Sequence, residues 1–385
     1  MKKICVFLFA LVLSIGVICF SPKVASAQND TLVLGKNAKS CVLADAESGE
    51  IVYQKNSTDK LPIASMTKIM TLLVIYDNIN NGKISLDDDV VVSSVAAGMG
   101  GSQAFLDADS THKAVDLIKT IIIASANDSC VALAEHVSGS KETFVHEMNK
   151  KGKELGLVAT NFVNCTGLPA LNQYSCAVDC VKMFSALIKQ NNNYFDYSKI
   201  WMDDYKHPGG RITQLTNTNR LVRFFNGCDG GKTGYTDEAR HCLCATAKKG
   251  DTRLIACVLG EPDSKTRFAE VSQMLNYGFA NYSNTILLSK DNAIQVDVKG
   301  GKTKSISVKP QENLSVFLPK SENADGYEVV TQIERNKAPI NQGEVVGTAF
   351  LIKNNNVIAK TALYSTDTVS KKSYFDTLHE IGENW

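Results

Sequence analysis

The chain predicts an α+β fold followed by a smaller all-β domain, and three observations carry that expectation. Strand-like runs occupy residues 40–54 and return at residues 230–259. Helical patterns fill the stretch between them. Beyond about Asn281 only short β-like runs occur, separated by Gly, Asn, Lys and Pro. Strands at both ends of a helix-rich segment suit a single sheet in which distant parts of the chain pair.

At the start of the chain, Lys2 and Lys3 precede an apolar run, residues 5–20, and Val24-Ala25-Ser26-Ala27 offers an A-x-A cleavage site. This is the pattern of a signal peptide, residues 1–27, and it predicts an exported protein that starts at Gln28. The run is short for an uncleaved membrane anchor. Taking 27 from 385 leaves 358 residues, which suits two domains, expected at 28–280 and 281–370, with a tail at 371–385.

Residues 40–45 and 50–54 read as hairpin arms, apolar at Val42, Leu43, Ile51 and Val52, around the turn Ala46-Glu47-Ser48-Gly49. A helix is expected to begin near Ser65. Its body, residues 69–76, is apolar on nearly all sides, which marks a helix buried inside a domain. Residues 113–124 form a further helix with Leu117, Ile118, Ile121 and Ile122 on one face; residues 128–137 and 141–155 are also expected to be helical. Residues 230–235, 241–248 and 252–259 read as strands, the last two joined by Lys249-Gly250-Asp251. Five runs follow, at 294–298, 314–318, 327–333, 344–350 and 357–363.

Composition excludes some functions. The whole chain carries +1, and removal of Lys2, Lys3 and Lys23 leaves −2, which argues against a nucleic-acid partner. Nine of the eleven cysteines lie beyond residue 27, so at least one thiol has no disulfide partner. Cys242 and Cys244 should share one face of a strand, and Cys176 and Cys180 are about one helical turn apart. Neither pair has zinc-ribbon spacing, and His241-Cys242-x-Cys244 is a weak metal signal. They read as small buried hydrophobes. No metal and no cofactor are expected.

Three short motifs carry chemistry. Ser65-Met66-Thr67-Lys68 places a hydroxyl and an amine one helical turn apart, on one face. A serine hydroxyl needs a base, and a lysine serves as one only when burial or neighbouring charge lowers its pKa. Ser125-Ala126-Asn127 lies 60 residues downstream, between two helices; its hydroxyl can relay a proton and its amide can hold a peptide group. Lys232-Thr233-Gly234 follows on a strand, 105 residues beyond Asn127, and offers charge and a hydroxyl to a carboxylate. Gly234 reads as room for a substrate to approach the backbone. Taken singly, these are a capped helix, a helix cap and an edge strand; the ordered set of three is much harder to obtain by accident.

Together the motifs resemble those of the penicillin-recognising serine enzymes. The likeness extends to Ser125-Ala126-Asn127-Asp128, to the run from Asp229 to Thr236 and to Arg253-Leu254-Ile255-Ala256. The chain resembles a low-molecular-mass penicillin-binding protein, a serine-type D-alanyl-D-alanine carboxypeptidase, over roughly residues 35–280. The β-rich remainder is similar to that family's C-terminal domain. The resemblance implies a β-lactamase-like fold and a peptidoglycan stem peptide ending in D-Ala-D-Ala as substrate, with β-lactams as covalent inhibitors. It implies Ser65 as the acylated nucleophile, Lys68 as its base, and Ser125 and Asn127 as the proton network and substrate hold. It implies Lys232 and Thr233, assisted by Arg267, as ligands of the terminal carboxylate, and the N–H groups of Ser65 and Tyr235 as the oxyanion hole. Arg267 otherwise reads as a surface arginine before a helix.

The chain departs from the pattern at Cys176, where many members have Thr, and at Arg240, where a Gly often follows Ala239. The second change is expected to bear on substrate preference. A class A β-lactamase shares the motifs but needs a glutamate in an E-x-x-L-N loop, and residues 160–170 contain none. A catalytically idle cell-wall-binding protein would not need Ser65, Lys68 and Lys232 intact. In the tail, Tyr374, Phe375, Leu378, Ile381 and Trp385 recur at helical spacing, but Asp376, Glu380 and Glu383 outnumber Lys371 and Lys372. At most weak, reversible membrane contact is expected.

Overall fold

The structure, a computed structural model, describes residues 32–190 and 193–376. The expected signal peptide and the tail from residue 377 onward lie outside the described residues. In chain order, β1 (Ser40–Asp45) and β2 (Ile51–Lys55) form the hairpin, and a 3-10 turn (Ala64–Thr67) leads into α1 (Lys68–Asn80). Next come β3 (Asp89–Val91), α2 (Ser94–Ala97), β4 (Thr111–Lys113), α3 (Ala114–Ala124), α4 (Asn127–Ser138) and α5 (Lys141–Glu154). They are followed by α6 (Ala177–Gln190), α7 (Tyr194–Ser198), β5 (Met202–Lys206), β6 (Ile212–Thr216) and α8 (Leu221–Phe224). Then β7 (Cys228–Thr236), β8 (Arg240–Lys249), β9 (Thr252–Glu261) and α9 (Ser264–Asn281) complete the first part.

One antiparallel sheet runs in the order β2-β1-β9-β8-β7. Its two ends of chain meet where β1 pairs β9, from Ser40 against Leu259 to Asp45 against Leu254. Side chains alternate between two cores. Val42, Ala44, Ile255 and Cys257 face the cluster that holds α1, α4 and α6. Cys41, Leu43, Leu254, Ala256 and Val258 face the cluster that holds α9. A sheet covered on both faces is unusual for antiparallel strands, and it explains why β9 is apolar almost throughout. From Lys68 to Tyr76 every residue of α1 is buried, as expected for a helix with no polar face.

The remaining strands are β10 (Tyr282–Leu288), β11 (Ile294–Asp297), β12 (Ser305–Pro310), β13 (Leu314–Pro319), β14 (Tyr327–Ile333), β15 (Val345–Lys353) and β16 (Asn356–Ser365). They form a two-stranded sheet, β10-β13, and a five-stranded sheet, β11-β12-β16-β15-β14, around their own apolar core. Asn284 ties this part to the first: its N–H donates to Thr252 Oγ1 at 2.9 Å and its Nδ2 to Asp45 Oδ1 at 3.1 Å.

The differences from expectation are local. Periodicity did not reveal α6, although its apolar face is buried, nor the short β3–β4 and β5–β6 pairs. Strands β10 and β12 were also unforeseen. All nine described cysteines are buried free thiols. Cys242 and Cys244 do share one face of β8, and the N–H of Cys180 donates to the carbonyl of Cys176 one turn earlier.

Candidate active site

Three segments distant in sequence close on Ser65. The first is its own turn. Ala64, just before it, holds a φ of +46°, a left-handed conformation that a non-glycine residue adopts at a cost. Two glycines from distant segments grip this turn. A Cβ at Gly167 would lie 2.0 Å from Ala64 O, and one at Gly234 would lie 2.4 Å from Ile63 O. Gly234 therefore makes room for the serine-bearing turn, and its backbone also lines the cleft described below.

The second segment supplies the partners of Lys68. Its Nζ donates to Ser65 Oγ at 2.9 Å, to Asn127 Oδ1 at 2.6 Å and to Thr166 O at 2.6 Å. Thr71, one turn along α1, donates from Oγ1 to Cys165 O at 2.6 Å and holds the Thr166 loop in place. Asn127 is oriented from behind, because its Nδ2 donates to Gly100 O at 2.6 Å. The neighbouring Asp128 carboxylate accepts from the N–H groups of Ala104 and Leu106 and fixes the loop that carries Gly101 and Ser102. Lys68 is fully buried, and burial holds its pKa below the ordinary lysine value.

The third segment is the edge strand β7. Lys232 Nζ donates to Ser125 Oγ at 2.8 Å and to Thr233 O at 2.9 Å. Ser125 caps α3 in a left-handed conformation, φ +65°, which turns its hydroxyl toward β7 rather than along the helix. Burial, then repulsion from Lys68, holds the Lys232 pKa well below the ordinary value.

A cleft of about 990 Å³ opens over these groups. Ser65, Ser125, Asn127, Thr233, Gly234, Tyr235 and Arg267 all line it; Lys68 and Lys232 sit beneath its floor. Arg267 is not a surface residue before a helix. It is a buried residue of α9, whose Nη1 donates to Gly234 O at 3.3 Å and Cys242 O at 3.2 Å, and whose Nη2 donates to Ser264 Oγ at 3.2 Å. Arg240 opens β8 with a φ of +55°, the conformation that suits glycine, and it does not line the cleft. Among the described residues no aspartate or glutamate lines it either. Sequence reasoning missed Thr166, whose contribution is a main-chain carbonyl, and the wall formed by Trp201, residues 216–218, Arg220 and Phe224.

Similarity to known proteins shows the family. A profile of the D-alanyl-D-alanine carboxypeptidase family matches residues 24–263, and one of the penicillin-binding protein 5 C-terminal domain matches residues 282–371. The chain belongs to the D-alanyl-D-alanine carboxypeptidase family. This carboxypeptidase is 38% identical to the D-alanyl-D-alanine carboxypeptidase DacF of Bacillus subtilis (strain 168), over 98% of each chain. It is 32% identical to DacC of Escherichia coli (strain K12), over 92% of this chain and 90% of that one. Among solved structures, penicillin-binding protein 5 from Haemophilus influenzae superposes with a TM-score of 0.67 at 29% identity, covering 88% of this chain and 99% of that one. The fold is that of the penicillin-recognising serine enzymes, α+β with an all-β C-terminal part.

Proposed function

We propose that this enzyme removes the terminal D-alanine from peptidoglycan stem peptides through an acyl-enzyme on Ser65. The observation that carries the assignment is the set of partners around Lys68 Nζ. Two of them, Asn127 Oδ1 and Thr166 O, are carbonyl oxygens that can only accept. When Lys68 is neutral, its two N–H groups stay with them, and the lone pair is left facing Ser65 Oγ.

The reaction then runs in balanced steps. Ser65 Oγ attacks the carbonyl carbon of the penultimate D-alanine, and its proton passes to Lys68 Nζ. The N–H groups of Ser65 and Tyr235 stabilise the oxyanion. The peptide C–N bond breaks, and the leaving amine takes a proton through Ser125, which Lys232 holds. Water then adds to the ester, releases the shortened stem and restores Ser65 Oγ–H. Lys232 and Thr233, assisted by Arg267, bind the terminal carboxylate, and Asn127 steadies the substrate. Penicillins and other β-lactams acylate the same serine.

A β-lactamase reading is not favoured, since among the described residues no carboxylate lines the cleft to activate water as a glutamate does in the class A enzymes. Action outside the cytoplasm is supported by the basic residues, apolar run and cleavage site at residues 2–27. Among the described residues no helix is long and apolar enough to cross a membrane. Tyr374 and Phe375 are exposed, and Asp376 pairs with Lys302 at 3.6 Å, which supports at most weak surface contact. The domain division near residue 281 is supported by the separate core of the later strands.

The test is direct. A pentapeptide stem ending in D-Ala-D-Ala should yield free D-alanine, and penicillin should leave one adduct per chain, on Ser65. Ser65→Ala should abolish both. An adduct on another residue would overturn the assignment.

A further inference from the structure

Two glutamates outside the cleft are buried side by side. Glu261 ends β9 and is fully buried, and among the described residues neither of its carboxyl oxygens meets a hydrogen-bond donor. Glu270, also buried, lies on α9 three residues after Arg267, on the same face of the helix. The two carboxyl groups stand within hydrogen-bonding reach of each other. Glu270 also holds the segment before β1: its Oε1 accepts from the N–H of Asn37 at 2.9 Å and from Asn37 Nδ2 at 2.6 Å.

The surroundings do not neutralise the pair. Lys55 of β2 directs its Nζ to three carbonyls, Gly35 O and Lys36 O at 3.0 Å and Ala38 O at 2.8 Å. The Arg267 guanidinium donates to Gly234 O, Cys242 O and Ser264 Oγ. Lys39 packs the stem of its side chain on Gly260. His241 lies opposite Glu261 on β8, and burial, then repulsion from Arg267, hold it below the ordinary histidine value. The other two neighbours, Asp263 and the Cys41 thiol, carry no positive charge. Two carboxylates this close and this buried cannot both be ionised. One proton between them turns the repulsion into a hydrogen bond. Burial first, and then the hydrogen bond and charge of Glu270, raise the Glu261 pKa to about 8, so the proton resides on Glu261.

We propose that Glu261 and Glu270 share one proton and form a clasp that fixes the end of β9 and the segment before β1 against α9, and thereby positions Arg267. Arg267 lies one helical turn from the clasp and ties β7 and β8 to α9 through Gly234 O and Cys242 O. The consequence for catalysis rests on the carboxypeptidase reading above, in which Arg267 assists in binding the terminal carboxylate; the shared proton does not. Folding raises the affinity of Glu261 for its proton, so the native state holds a proton that the unfolded chain releases above the ordinary value of 4.5. The stability that the clasp contributes is therefore complete below about pH 4.5 and is lost as pH rises to about 8.

The experiment measures urea unfolding of the wild type, Glu261→Gln and Glu261→Ala from pH 4.5 to 9. Glutamine keeps a neutral donor toward Glu270 and cannot ionise. The unfolding constant of the wild type, relative to that of Glu261→Gln, should grow about tenfold per pH unit between about pH 5 and 8 and level off above. Glu261→Ala opens the clasp and should raise KM for a pentapeptide stem with little change in kcat, whereas Glu261→Gln should keep the wild-type KM. A ratio of unfolding constants that does not vary with pH would overturn the shared proton. Stabilisation of the wild type, but not of Glu261→Gln, by calcium chloride would place a cation between the carboxylates and overturn it equally. An unchanged KM in Glu261→Ala would overturn the positioning of Arg267. Failure of the carboxypeptidase reading would show separately, as absence of D-alanine release by the wild type, and would leave the unfolding result standing.

Discussion

Gly167 packs so closely on Ala64 that a methyl group on it would stand 2.0 Å from the Ala64 carbonyl oxygen. Gly167 also has a φ of +84°, so alanine there meets both a clash and an unfavourable backbone. Gly167→Ala should cost about 1–3 kcal/mol of stability. It should slow acylation by penicillin beyond what partial unfolding explains, because the turn carrying Ser65 is displaced. Urea unfolding and the acylation rate of the folded fraction check this; a wild-type rate would show that the grip on the turn has no catalytic meaning.

The pH profile should report the two lysines as a coupled pair. Lys68 and Lys232 are both buried and both shifted below the ordinary lysine value. The mechanism proposed above needs a single ammonium charge on the pair, with the Lys68 lone pair facing Ser65 Oγ at the moment of attack. As pH rises, kcat/KM should climb when the first proton leaves and fall when the second leaves, and the two values belong to the pair. Lys68→Arg, which keeps charge but does not readily give up a proton, should bind substrate yet lose acylation by several orders of magnitude. An acid limb at the ordinary lysine pKa of 10.5 would contradict the burial argument.

Arg253 and Asp229 join β9 to β7 with two parallel hydrogen bonds, both 2.7 Å, and the guanidinium lies over the Phe195 ring at 4.2 Å. Asp229 begins the run that ends in Lys232-Thr233-Gly234. Arg253→Met should lower stability by about 1–3 kcal/mol, since a charge-assisted pair is lost and Asp229 is left without its partner. Denaturant midpoints measure this. An unchanged midpoint would mean that water replaces the arginine at no cost.

The nine described thiols should be slow to react in the native protein. Burial pushes Cys130, Cys228 and Cys242 up to about 12 and Cys165 up to about 11, so the reactive thiolate is scarce. Titration with an aromatic disulfide reagent should show no fast phase in buffer and release of all nine on unfolding. A cysteine that reacts at once in buffer would show that the packing around it opens.

Much of this molecule was legible in one dimension because its signals are local. The buried helix after Ser65 announces itself by eight consecutive residues, 69–76, apolar on nearly all sides, and β8 and β9 by short apolar runs around a tight glycine turn. Ser65, Lys68, Ser125, Asn127 and Lys232 are marked by side-chain type and order along the chain. The all-β end was visible in outline for the same reason. What folding alone decided is who meets whom. The Thr166 carbonyl that orients Lys68 belongs to the main chain, which every residue has, so no residue type could flag it. Gly234 reads as space for a ligand, and only the fold shows that the place of its missing side chain is also needed by the Ser65 turn. Arg267 looked like a surface charge because only the docking of α9 on β7 and β8 buries it. Residue identity records what a group can do; its burial and its neighbours, set by contacts across more than a hundred residues of chain, decide whether it is free to do it.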